Sequence, residues 1–300
     1  TLLGNITTEI GNVTMTDNGD QVTIQLPNGI VYYCTPTASS LTQITDADFN
    51  DSGSVTTLDG FTISALLNSN EFQWSDLNTT QNWNALNAAT VEANSSKIVR
   101  VYQNNLELWF FKENIIQVFY NTGSGSPLFQ RKEGVYIEKG CASKYSVATM
   151  DNSFFFLGND RIVYQTIGYQ LKPISTFPIS QEIENYTTID DAIGFTYVQD
   201  GHKFYCLTFP SEDKTWEYDI TTELWHERES VNNSGIDGRW RANCHAYFAG
   251  KNLVGDFQTG IIYELDPDVY TENGTVIKRE IIGTTMFKNF ARLSLSWKIL

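Results

Sequence analysis

The chain has 300 residues, 41% of them hydrophobic and 13% aromatic, and a formal net charge of −15. That is enough apolar material for a sizeable core and too much for a disordered chain. The acidic balance argues against non-specific binding of nucleic acid through basic contacts and against docking on anionic membranes, and no run of 18 or more apolar residues marks a membrane-spanning helix.

Taken in chain order, the predicted elements are short strands. The 15 Tyr, 18 Phe and 7 Trp suit a pleated, half-buried surface. Val22 to Leu26 alternates, Pro27-Asn28-Gly29 turns, and Ile30 to Cys34 returns. Phe61 to Leu67 with Glu71 to Ser75, and Leu106 to Phe111 with Ile115 to Tyr120, repeat the figure. So do Ser153 to Leu157 with Ile162 to Gln165, Phe204 to Phe209 with Thr215 to Asp219, and Leu253 to Phe257 with Gly260 to Leu265. The best helical candidate is short, Trp83 to Glu92. At the C-terminus, Thr275 to Ile282 and Leu293 to Leu300 read as strands, the last of which either closes a ring against Leu2 to Ile10 or belongs to a longer protein. No charged-then-apolar signal segment opens the sequence.

The return strands carry evenly spaced aromatics. Tyr32, Trp74, Phe119, Tyr164, Tyr218 and Tyr263 are separated by 42, 45, 45, 54 and 45 residues. A period of roughly 40–50 residues marks propeller blades of four strands, and radial closure leaves only short sheet edges. The expected fold is therefore all-β: a β-propeller of about six blades of antiparallel strands, one domain over residues 1–300. Within it, 1–96 form acidic, Lys/Arg-free blades, 97–230 a central core, and 231–300 the last blade and closing strands. Trp216 to Trp225, with Tyr218-Asp219, Thr222 and Trp225, resembles the last hairpin of a kelch-type blade, in which Asp and Thr bond their own backbone.

Charge is uneven. The first basic residue is Lys97, preceded by Glu9, Asp17, Asp20, Asp46, Asp48, Asp51, Asp59, Glu71, Asp76 and Glu92. Residues 271–300 instead hold Lys278, Arg279, Lys288, Arg292 and Lys298 against Glu272 and Glu280. Such asymmetry hints at partners without naming them.

Chemistry is sparse. His202, His226 and His245 form no metal-binding spacing, and Cys244-His245 point to opposite faces of a strand. Cys34, Cys141, Cys206 and Cys244 include no C-x-x-C pair and fit buried thiols in a reducing compartment. Asp17-Asn18-Gly19-Asp20 reads as a hairpin turn, since the later Glu of a calcium loop is missing. Asp190-Asp191 and Glu182/Glu184 are paired carboxylates by type, and Ser234 to Trp240 only partly matches a sialidase Asp-box. No nucleophile elbow or phosphate loop occurs. No catalytic, cofactor-binding or metal-ligating residue is expected.

From Lys97 to about Ile179 many small motifs occur in one order: Glu107-Leu108-Trp109, Tyr120-Asn121-Thr122-Gly123, Phe129-Gln130-Arg131 and Ile137-Glu138-Lys139-Gly140-Cys141-Ala142. Then follow Tyr145-Ser146-Val147-Ala148, Asp151-Asn152-Ser153, Phe156-Leu157-Gly158, Val163-Tyr164, Gly168-Tyr169 and Ile174-Ser175-Thr176. This run resembles the packaged-DNA stabilisation proteins of short-tailed phages, with weaker likeness to about Trp225. The resemblance implies a virion tail protein, assembled in the bacterial host cytoplasm. It would form a ring of about six copies below the portal and adaptor rings, close the DNA exit channel after packaging, and connect to spike or needle proteins. It implies no catalysis and no cofactor. DNA would pass nearby without specific binding, along a wall that the basic-free N-terminal third would make repulsive. Two other readings remain: a carbohydrate-binding or glycan-cleaving propeller, and a kelch-like interaction scaffold.

Overall fold

The computed structural model describes residues 4–6, 11–38, 40–92, 94–125, 127–232, 234–282, 286–288, 291–293 and 296–299. Its strands form six antiparallel blades arranged as a β-propeller, as the aromatic period predicts. Blade 1 is β1 (Thr14–Asp17), β2 (Val22–Gln25), β3 (Val31–Cys34) and β4 (Thr42–Gln43). Blade 2 is β5 (Ser52–Leu58), β6 (Phe61–Leu66), β7 (Glu71–Ser75) and β8 (Trp83–Thr90). Blade 3 is β9 (Ile98–Asn104), β10 (Glu107–Lys112), β11 (Ile116–Asn121) and β12 (Phe129–Arg131). Blade 4 is β13 (Ala148–Met150), β14 (Ser153–Leu157), β15 (Val163–Ile167) and β16 (Gln170–Pro173). The one α-helix among the described residues, α1 (Phe177–Glu184), leads to blade 5: β17 (Ile193–Gln199), β18 (His202–Phe209), β19 (Lys214–Asp219) and β20 (Leu224–Glu227). After a small ladder of β21 (Glu229–Val231) and β22 (Asp237–Arg239), blade 6 has three strands: β23 (Ala242–Phe248), β24 (Lys251–Asp256) and β25 (Ile262–Glu264).

Each of the six spaced aromatics lies on the third strand of its blade, opposite an apolar residue of the second strand. Tyr32 faces Ile24, Trp74 faces Ile63, Phe119 faces Leu108, Tyr164 faces Phe156, Tyr218 faces Tyr205 and Tyr263 faces Val254. Such directly opposed side chains on one face are the pairs that stabilise a sheet.

Successive side chains on a strand point to opposite faces, and in the central blades both faces are covered. On β10, Leu108 and Phe110 pack toward blade 2, against Ile63, Phe72 and Trp74. From the same strand, Trp109 and Phe111 pack toward blade 4, against Phe154 and Phe156. On β14 the alternate residues Phe155 and Leu157 turn to blade 5, where Tyr205, Leu207 and Phe209 await them. These strands are therefore near-continuous apolar runs. The first strands lie innermost, with β1 against β5, β5 against β9, β13 against β17 and β17 against β23. Blade 6 meets the entry to blade 1 where Asn243 Nδ2 donates to Asn12 Oδ1 at 3.4 Å.

One expectation is corrected. Trp83 to Glu92 is not helical: it forms β8, pairing Phe72 with Ala89 and Ser75 with Trp83. Ten residues make a marginal helix, whereas the free edge of β7 offers a full ladder. The helix lies instead at Phe177–Glu184, with a proline in its first turn and with Ile179 and Ile183, one helical turn apart, buried against blades 4 and 5. At the C-terminus, β26 (Thr271–Glu272) pairs with β27 (Thr275–Val276). Next, β28 (Arg279–Ile282) pairs with β31 (Ser296–Ile299), and β29 (Met286–Lys288) with β30 (Ala291–Leu293). The last strand thus folds back on Arg279–Ile282; its expected closure of the ring against Leu2 to Ile10 involves 2–3 and 7–10, which lie outside the described residues.

Candidate functional site: the polar axis and the open sixth blade

The residues singled out for chemistry do not converge. His202 Nδ1 lies 2.7 Å from Asp219 Oδ2, and the same carboxylate takes the Thr222 hydroxyl at 2.7 Å and the Thr221 N–H at 2.9 Å. This fastens the kelch-like turn, over which Trp225 tilts onto Tyr218 at 5.1 Å. His245 Nε2 sits 3.0 Å from Asn252 Oδ1, its ring stacked on Phe195, and burial lowers its pKa. His226 is exposed on β20. Asp191 accepts the Ser211 N–H at 2.8 Å, while Glu182 and Glu184 lie exposed on α1. Asp17 and Asn18 accept the N–H groups of Gly19 and Gln21, which is the expected hairpin turn. Among the described residues no three His, Cys, Asp or Glu side chains group to hold a metal.

The buried thiols serve packing. Cys141 is fully covered, and burial pushes its thiol up to about 11. Beside it, Gly140 is pressed so closely on the blade 3 turn that an added Cβ would fall 1.8 Å from the Glu113 carbonyl oxygen. Cys206 donates to Glu217 Oε2 at 3.1 Å, which also accepts from Tyr197 Oη at 2.6 Å. Arg228 closes this cluster between blades 5 and 6, at 3.3 Å from Glu217 and with its guanidinium 4.2 Å over Trp240.

One polar cluster spans the propeller, and spacing alone gave no sign of it. A short 3-10 turn, Lys144–Ser146, leads into blade 4. From it Lys144 Nζ reaches Gln25 Oε1 of blade 1 at 2.9 Å, an atom that Thr14 Oγ1 also contacts at 2.7 Å. Tyr145 Oη donates to the Asn12 carbonyl at the entry to blade 1. Arg100 Nη1 of β9 donates to the Lys144 carbonyl at 3.0 Å. Blade 4 is thereby tied to blade 1 through the end of β2 and the entry to the blade, and to blade 3 through its first strand. Burial, then the nearby Arg100, pulls the Lys144 amine down to about 7. The only earlier pointer to this cluster was that Tyr145-Ser146 belongs to the motif run.

The outer surface is divided. Asp17, Asp20, Asp48, Asp51, Asp59, Glu71, Asp76 and Glu92 are exposed. Because blade strands alternate in direction, Asp17, Asp20, Asp59 and Asp76 share one face of the propeller. Asp48, Asp51, Glu71 and Glu92 share the other. Glu9 lies outside the described residues. Blade 6, by contrast, exposes Tyr247, Phe248 and Ile262 by 69%, 69% and 70%, and Tyr270 and Val276 are exposed beyond it. A cleft of about 580 Å³ between this blade and residues 271–280 is lined by charges of both signs. There Asp237 is paired with Lys278 at 2.9 Å, and the Tyr263 hydroxyl is engaged by Asn273.

Fold and surface together define a propeller whose polar groups hold blades to one another and whose outside presents acidic and apolar patches. A family model described as Bacteriophage P22 Gp10, beta-propeller, matches residues 1–270, and the chain belongs to this phage packaged-DNA stabilisation family of structural virion proteins. The match extends well beyond the motif run, to the acidic N-terminal third and the whole of blade 6. No curated protein matches the sequence. Among solved structures, the computationally designed Ika8 protein is similar at 10% identity with a TM-score of 0.46, over 87% of this chain and 72% of that one. BamB from Moraxella catarrhalis is similar at 8% identity with a TM-score of 0.47, over 84% of this chain and 81% of that one.

Proposed function

We propose that this protein is the tail hub or head-completion component of a short-tailed phage. It would close the DNA exit channel after packaging and connect the portal and adaptor to spike or needle proteins. The observation that carries this reading is the family match over 270 residues of a propeller. Its candidate acids and bases do not converge: His202 and Asp191 hold turns, while His226, Glu182 and Glu184 lie apart on exposed surface, which favours action by position over catalysis. About six copies would form a ring, one domain each, in the virion tail after assembly in the host cytoplasm. One acidic face would border the DNA path, where carboxylates repel phosphates at short range and release the strand on ejection.

The test is assembly. The purified chain is added to phage heads that carry portal and adaptor rings but lack this protein, and DNA retention and bound copy number are measured. Stable binding with retained DNA is expected. Heads that keep their DNA equally well without the chain, or a chain that never binds them, would overturn the reading. Hydrolysis of a host polysaccharide by the purified chain would revive the glycan-cleaving alternative.

A further inference from the structure

Three Asn-Gly pairs occur in the chain: Asn18-Gly19, Asn28-Gly29 and Asn273-Gly274. A glycine leaves its backbone nitrogen unshielded, so that nitrogen can reach the side-chain carbonyl carbon of the asparagine before it. All three pairs share this intrinsic chemistry, and the fold treats them differently.

Two of the pairs are locked. At the β2–β3 turn the Gly29 N–H donates to the Leu26 carbonyl at 3.0 Å, Asn28 Oδ1 accepts the Ile30 N–H at 3.1 Å, and Gly29 is buried. At the β1–β2 turn the Gly19 N–H donates to Asp17 Oδ1 at 3.2 Å, and Asn18 Oδ1 accepts the N–H groups of Asp20 at 3.1 Å and Gln21 at 2.7 Å. In both turns the nitrogen that would attack is engaged, and the side chain that would receive it is pinned within its own turn. Both turns also join strands of a four-stranded blade.

Asn273-Gly274 is open. It forms the turn between β26 and β27, which pair through only two residues each, and so short a ladder is marginal by itself. Asn273 and Gly274 are both exposed. Among the described residues the Gly274 N–H has no hydrogen-bond partner. The group that binds the asparagine comes from outside the turn: the Tyr263 hydroxyl on β25 donates to Asn273 Oδ1 at 3.0 Å. A donor placed on the oxygen where negative charge develops stabilises the tetrahedral intermediate of attack on that carbonyl.

We propose that Asn273 is a self-modifying site, at which the Gly274 nitrogen attacks the Asn273 side-chain amide with the help of the Tyr263 hydroxyl. The nitrogen bonds to Cγ and yields its proton to solvent. The Cγ–Nδ2 bond breaks, the side-chain nitrogen leaves as ammonia, and a five-membered imide closes. Water then opens the ring. Attack at Cγ restores the main chain and leaves aspartate; attack at the main-chain carbonyl carbon leaves isoaspartate. Nothing is oxidised or reduced, and water is the only co-reactant. Either product adds a negative charge beside Glu272. Isoaspartate also routes the main chain through Cβ. Turn length fixes hairpin register, so the longer turn disturbs the pairing of Glu272 with Thr275. Tyr263, Glu272 and Thr275 line the cleft beside blade 6, and the modification loosens that wall as the protein ages.

The test is peptide mapping by mass spectrometry of the folded full chain during incubation at mildly alkaline pH, with chromatography to separate aspartate from isoaspartate at residues 18, 28 and 273. Each hydrogen bond that must break before attack raises the barrier, so Asn273 is expected to convert roughly tenfold or more faster than Asn18 and Asn28. In denaturant the three rates are expected to converge. Tyr263→Phe is expected to slow conversion at Asn273 alone, and amide exchange at Glu272 and Thr275 is expected to quicken in the converted chain. Equal rates in the folded chain, or a lead for Asn273 that persists in denaturant, overturns the proposal. An undiminished rate in Tyr263→Phe overturns the role given to the hydroxyl, and unchanged exchange overturns the loosening of the cleft wall.

Discussion

Blades 3 and 6 are made from the same hairpin but hold opposite kinds of surface. In blade 3, five of the six residues of β10 are buried, and its Phe and Trp side chains reach into both neighbouring blades. In blade 6 only Ala242 of the seven β23 residues is buried, β25 is the outermost strand, and the two aromatics at the end of β23 stand in solvent. The difference teaches that stability and assembly are divided along the chain. The middle blades bury apolar area against each other, while the last blade keeps apolar area for something outside the monomer, since large exposed patches mark interaction sites.

The largest test of this division is a pair of truncations. Phe72 is fully buried and its ring lies within 4.5 to 6.5 Å of those of Phe110, Phe119, Trp74 and Phe129. Phe72→Ala is expected to cost about 3–5 kcal/mol in urea unfolding. Phe248→Ala is expected to change monomer stability by less than about 0.5 kcal/mol and to weaken self-association instead. Equal destabilisation by the two changes would mean that blade 6 is as closed as blade 3.

A second test adds an atom. Gly140→Ala places a methyl group against the Glu113 backbone, at 1.8 Å from its oxygen and 2.2 Å from its carbonyl carbon. Neither backbone is free to move, because the Cys141 N–H bonds the Lys112 carbonyl at 2.9 Å and the Asn159 N–H bonds the Gly140 carbonyl at 3.1 Å. The expected cost is about 3 kcal/mol, at the high end for overpacking, read as a drop in melting temperature. Unchanged melting would show that the contact between blades 3 and 4 is looser than the structure has it.

The repeat was legible because it is written in large side chains. Tyr32, Trp74, Phe119, Tyr164, Tyr218 and Tyr263 occupy one position of one strand in every blade, so their spacing alone counted the blades. Element type was less legible where composition and context disagree. Trp83 to Thr90 has an alanine-rich helical look, yet the edge of β7 recruits it as a strand. Phe177 to Glu184 has β-branched isoleucines and an early proline, yet it is the helix, because Ile179 and Ile183 fill a gap beside blades 4 and 5. Least legible was the polar axis, since Lys144 and Gln25 are 119 residues apart and no local pattern links them. As for function, the motif run named the family from the middle of the chain, whereas the carboxylates proposed for other chemistry proved to be scattered among turns and a helix surface.

Within the turns, Asp219 gives a smaller effect. Burial opposes its ionisation, but the hydrogen bonds from Thr222, His202 and the backbone outweigh it and hold its carboxyl below the ordinary value. Its contribution is therefore present above the unfolded value of 3.8 and is lost as pH falls through the lowered folded value. Asp219→Ala is expected to cost about 2 kcal/mol at neutral pH, with the difference from wild type shrinking in acid. A constant difference down to pH 2 would remove the carboxylate from the account.

A change of slope with pH separates the axis from the surface. Lys144 has a folded-state value of about 7, against 10.5 for an ordinary lysine, through burial and the neighbouring Arg100. Between those two values the unfolded chain holds a proton that the folded chain has lost, so stability rises with pH across that window. Below it both states are charged and the full penalty stands; above it neither is charged and the penalty is gone. Lys144→Met keeps much of the side-chain volume and removes the proton, so it is expected to flatten the rise in unfolding free energy from pH 7 to 10. Surface lysines such as Lys251, raised by Glu264, predict no such rise. If the methionine variant keeps the wild-type slope, the ammonium is not held at the axis, and the tie between blades 4 and 1 rests on Tyr145 and Asn12 alone.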